Sequence, residues 1–66
     1  MATGGKVWVA IKRVEADGWF EIKSNSGDHR QFKHPTKSGK VTIDGKLNHD
    51  VPPKTWKSIM KQAGLI

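Results

Sequence analysis

Sixty-six residues without a cysteine leave room for one small domain over residues 1–66, with no disulfide to brace a marginal core. The longest apolar run, VWVAI at 7–11, is far too short to cross a membrane, and nothing follows the layout of a secretory signal, so a soluble cytoplasmic protein is expected. The formal net charge of +6 is unevenly placed: acids and bases cancel over the first 22 residues, and the whole excess follows. A one-sided basic surface suits a polyanion through counterion release, although lysine is also an ordinary solubilising residue.

Residues 1–5 form a loose start. Residues 6–16 place Val7, Ala10, Ile11 and Val14 at helical spacing, with Lys12, Arg13 and Glu15 elsewhere. The β-branched residues favour a strand, but the length and the stop at Gly18 predict a helix. Residues 19–24 alternate and predict a strand with Phe20 and Ile22 inward; Trp19, Glu21 and Lys23 share the outer face. Outward by parity, Trp19 has the option of stacking on a base, but capping the edge of the core is its plainer job. Asn25-Ser26-Gly27 is a turn.

Residues 28–34 predict the second strand. If Phe32 faces the core, period two sends Arg30 and His34 the same way and turns His29, Gln31 and Lys33 outward. After a second turn, residues 40–44 predict a third strand with Val41 and Ile43 inward. Residues 46–52 are a loop pinned by Leu47 and Val51. Pro53 opens a final helix over 54–63 whose Trp56, Ile59, Met60 and Ala63 share one face. Its lysines, Lys54, Lys57 and Lys61, line another face, most simply a solvated one.

The expected fold class is therefore α+β, in the order α-β-β-β-α. A three-stranded antiparallel sheet has both helices on one face, and its other face stays open. That open face collects Lys23, His29, Gln31 and Lys33.

The stretch SNSGDHRQFKHP at 24–35 concentrates the chemistry. Gly27 permits backbone angles closed to other residues and lets the chain lie close to a ligand. His29 carries an imidazole, a group suited to giving and taking a proton near neutrality. Around it stand Lys23, Arg30, Lys33 and Lys37, the residue types that hold phosphate. A proton-transfer group inside a basic, glycine-opened hairpin is what cleaving RNA would require. An exposed strand histidine without a role is the plainer reading of His29 alone. His34, on the core side near the strand end, is read as structural. His49 is given no role. The histidines and aspartates match no recognised ligand spacing, so no metal or cofactor is expected.

The run GDHRQFKHP, a short strand, GK, a proline-containing loop and TWKSIMKQAGL together resemble the HicA toxins of HicA–HicB toxin–antitoxin systems. The resemblance covers residues 18–65 well and includes the ending ADGWF of the first helix. It implies a double-stranded-RNA-binding-domain-like fold, in agreement with the element order. It implies the toxin of a type II system, an mRNA interferase that cuts transcripts, inhibits translation and is neutralised by a HicB-like antitoxin. It also puts the catalytic histidine at His29, which moves the catalytic reading ahead of the plain one. Position 28, usually a small hydroxyl residue in that family, is Asp28, and a carboxylate there would repel a phosphate or favour the protonated imidazole. A non-catalytic RNA-binding module and a protein-interaction module of the same fold remain the alternatives.

Overall fold

A computed structural model describes residues 5–22 and 29–66. Seven elements follow in order: β1 (Gly5–Lys6), α1 (Val7–Ala16), β2 (Phe20–Ile22), β3 (His29–Lys33), β4 (Val41–Asp44), β5 (Asp50–Val51) and α2 (Pro53–Gln62). The sheet β2-β3-β4 is antiparallel throughout, and β1 and β5 form a separate two-stranded ribbon. The expected helix, three-stranded antiparallel sheet and helix are all present. None of the described helices is long and apolar enough to cross a membrane.

The core lies between one face of the sheet and the two helices. Phe32, Val41 and Ile43 from the sheet are fully buried, and α1 contributes Val7, Ala10 and Val14. From the second helix and its end come Ile59, Met60 and Ala63, with Trp56 packed partly against them. Burying such side chains is the main favourable term available to a chain this short.

Three local features differ from the sequence reading, each for a physical reason. First, Gly5, expected in a loose start, pairs with Val51, and Lys6 pairs with Asp50. The loop before Val51 also closes the start of α1. The first helical N–H groups have no partner inside a helix; here Val7 N donates to His49 O at 2.9 Å and Trp8 N to Leu47 O at 3.2 Å. Leu47 therefore serves through its carbonyl, and its side chain, expected to pin the loop, is exposed, while Val51 is buried as expected.

Second, the parity of β2 is inverted. Trp19 is buried, and Phe20, expected inward, is 51% exposed. The cause is the end of α1. Gly18 takes φ +105°, a left-handed value suited to glycine. Gly18 N then bonds to Glu15 O and Trp19 N to Val14 O, the paired bonds of a Schellman stop. That motif brings the residue after the glycine onto the last turn of the helix, so Trp19 enters the core and Phe20 turns away.

Third, Ile22, two residues on from Phe20 in the same strand, shares its face across from Gln31 and is half-buried there. The second helix ends on the same motif as the first: Gly64 N bonds to Lys61 O and Leu65 N to Met60 O, with Gly64 at φ +72°.

The two helix ends are tied together beneath the β3–β4 connection. Trp19 Nε1 donates to Ala63 O at 3.3 Å. Lys37 Nζ donates to Ala63 O at 3.1 Å and pairs with the Asp17 carboxylate. His34 Nε2 bonds to Asp17 O at 2.7 Å, and a carbonyl can only accept, so Nε2 carries the proton. Its Nδ1 accepts from the backbone N–H groups of Thr36 and Lys37, each at 3.1 Å. His34 is thus a structural post, as its place in the sequence suggested, and it meets Trp19 edge-on at 5.2 Å.

Candidate functional site

Residues paired across antiparallel strands project to the same face, and neighbours along a strand alternate. The register therefore assigns the open face. Its three rows across the sheet are Phe20 with Lys33, Ile22 with Gln31 and Thr42, and His29 with Asp44. Glu21, Arg30, Phe32, Val41 and Ile43 point to the helix side.

His29 opens β3, Asp44 closes β4, and they face each other directly. Both side chains are more than half exposed, and His29 Nδ1 makes a short hydrogen bond to Asp44 Oδ1. A carboxylate only accepts, so Nδ1 carries the shared hydrogen. With Nδ1 engaged and the side chain more than half exposed, Nε2 is the ring nitrogen left for solvent or a ligand. An imidazole anchored through one nitrogen and open at the other is the arrangement a proton-transfer group requires.

Of the residues expected to hold phosphate, Lys33 is exposed on the same face as His29. Arg30 is not. Period two turns it to the helix side, where Nη1 donates to Gly45 O at 2.7 Å. That bond fastens the backbone immediately after Asp44, so Arg30 supports the aspartate's position rather than standing beside the imidazole. Lys37 is also placed elsewhere, held by Asp17 and Ala63 O at the helix ends. Its hydrogen bond holds the Asp17 carboxyl below the ordinary value of 3.8. Asp50 is lowered in the same sense by its hydrogen bond from Lys6. Lys23, Gly27 and Asp28 lie outside the described residues. Trp19, a possible base-stacking residue by strand parity, is buried and has no place on the open face.

A part for Asp44 in proton transfer does not follow from the sequence alone, which offers its carboxylate only to a metal. The signal was present but needed the strand register: once Phe32 sits across from Val41, His29 falls across from Asp44. Among the described residues, no three His, Asp or Glu side chains converge on a point that could hold a metal ion.

Comparison with curated proteins gives no match. A family model described as the HicA toxin of bacterial toxin–antitoxin systems matches residues 10–65, a span that contains both His29 and Asp44. With nearly the whole chain matched, the protein belongs to the HicA toxin family.

Proposed function

We propose that this toxin is a metal-independent endoribonuclease, an mRNA interferase, whose catalytic residue is His29. The observation that carries the reading is the imidazole on the helix-free face, with Nδ1 anchored to Asp44 and Nε2 open to solvent. RNA supplies its own nucleophile. Nε2 takes the proton from a 2′-hydroxyl, the 2′-oxygen attacks the adjacent phosphorus, and the bond from phosphorus to the 5′-oxygen breaks. Relayed through a water, the proton held on Nε2 then passes to the leaving 5′-oxygen, so none is gained or lost overall. Asp44 keeps the ring oriented and stands beside the positive charge that forms on it, as a carboxylate does behind other catalytic histidines.

Charge gathers on the phosphate oxygens in the transition state and needs a cation. Lys33 is on the correct face, Lys23 is the second choice, and backbone N–H groups around Gly27 are suited to approach the phosphate. The partner that silences the toxin is a HicB-like antitoxin, which would act by covering this face. Cutting transcripts would inhibit translation until it does.

The test is purified protein with RNA, beside the His29→Ala variant. The variant is expected to lose cleavage and growth arrest while unfolding at the wild-type temperature, because the ring is exposed. Wild-type cleavage is expected to persist in EDTA. A variant that cuts at the normal rate removes His29 from the mechanism. Loss in EDTA with rescue by Mg²⁺ hands the chemistry to a metal. Wild-type protein that binds RNA without cutting it favours a non-catalytic RNA-binding module.

A further inference from the structure

Phe20 lies outside the buried core and the apolar residues packed against it. It is 51% exposed, and the same face carries His29. A single exposed apolar residue is ordinary by itself. The other large apolar side chains exposed among the described residues have different settings: Trp8 and Leu47 flank the start of α1, joined through their backbones, and Ile66 is at the end of the sequence. Of these four, Phe20 alone projects from the open face of the three-stranded sheet. Directly across from it is Lys33, and in the next row Ile22 stands beside Gln31.

We propose that Phe20 is a stacking platform for one unpaired base of the RNA and a specificity-determining residue for the cut. This rests on the reading of the open face as an RNA-cleaving surface. An aromatic ring, a lysine and a side-chain amide in adjacent positions supply what an unstacked nucleotide offers to bind: a π-face, a phosphate and a base edge. The occupant is single-stranded RNA, because a duplex keeps its bases stacked on one another. Charge agrees. Among the described residues, Asp44 is the only carboxylate projecting to this face, and it is engaged by His29.

The Phe20–Lys33 row lies four residues along β3 from His29, roughly 13 Å at the rise of an extended strand. A base seated on Phe20 would therefore fix the strand's register against Nε2 and select which phosphodiester meets it.

The experiment uses short single-stranded oligonucleotides with 2′-O-methyl groups, which cannot be cut, and reads binding by fluorescence anisotropy. Phe20→Ala is expected to weaken binding about 5- to 150-fold, the effect of losing one base–aromatic stack. Phe20→Trp is expected to restore it. An abasic position at the contacted nucleotide should weaken wild-type binding equally and cost Phe20→Ala nothing more. On cleavable RNA, Phe20→Ala is expected to raise KM with little change in kcat and to blur the choice of site.

Wild-type affinity in Phe20→Ala overturns the proposal. So does wild-type affinity in Phe20→Leu, which would mean apolar contact without stacking. A loss confined to antitoxin binding makes the patch a protein-docking surface and also overturns it. The outcomes separate from those for His29: a wild type that binds through Phe20 but never cuts keeps the platform and removes the nuclease, and a nuclease indifferent to Phe20→Ala does the reverse.

Discussion

Asp44 stands directly across the β3–β4 ladder from His29 and accepts a hydrogen bond from its Nδ1. On the proposed mechanism this makes Asp44 a positioning residue. Asp44→Asn keeps the shape, removes the charge and allows an amide N–H to face the ring, favouring the opposite tautomer. Cleavage is expected to fall by about two to four orders of magnitude in kcat with KM nearly unchanged. Asp44→Glu, which keeps a carboxylate within reach, is expected to recover part of the loss. Steady-state kinetics on a defined oligonucleotide separate this from a binding defect, and equal kcat in Asp44→Asn would reduce the pair to surface chemistry.

Phe32 occupies the centre of the sheet's buried face and is completely inaccessible to solvent. Phe32→Ala removes most of a large apolar side chain and leaves a cavity that neighbours fill incompletely. The expected cost is about 3–5 kcal/mol, comparable with the whole stability of so small a domain. Urea unfolding followed by tryptophan fluorescence measures it. A variant of near-native stability would show that the core does not depend on this ring.

The three strands, both helices and the inward set Phe32, Val41 and Ile43 were legible because period two and period 3.6 leave different marks. The side of the sheet that carries His29 was legible for the same reason, since burying Phe32 fixes the parity of the whole strand. What escaped depended on information that alternation does not hold. Phe20 and Trp19 are both apolar neighbours, and either could have been chosen as inward. The choice was made by Gly18, which folds Trp19 back onto Val14. Asp44 needed the register between β3 and β4, and the turn between them, PTKSG, has no two-residue signature that sets one. The β1–β5 ribbon is too short for any periodicity.

Gly18 offers a test of that helix stop. Its φ is +105°, and a Cβ built there would sit 2.8 Å from His34 Nε2. Gly18→Ala therefore combines an unfavourable backbone with displacement of the ring that ties Asp17 to the β3–β4 connection. A cost of about 1–3 kcal/mol is expected for the backbone alone, with more from the clash. Gly39→Ala is the control: its φ is also positive, +84°, but nothing lies within 4 Å of the added carbon. Gly18→Ala should be clearly the less stable of the two by chemical denaturation. Equal losses would mean that His34 yields without consequence.

Lys37 and Asp17 link acid stability to the same corner. The hydrogen bond from Lys37 lowers the Asp17 carboxyl below its ordinary 3.8, so in the folded protein this group holds its charge to lower pH than in the unfolded chain. At a pH near or below 3.8 the unfolded state consequently binds more protons, and stability rises with pH through that window. The contribution is complete above the unfolded value and is lost as pH falls through the lower, folded one. Asp50, held by Lys6, has the same sign but sits on a far more exposed side chain, where an ion pair contributes little. Lys37→Gln is therefore expected to lower the unfolding temperature at neutral pH and to flatten its decline below about pH 4. The wild-type and variant curves should approach each other at the acid end. A constant gap between them across the whole range would mean that Lys37 acts only through Ala63 O, with no part in the titration of Asp17.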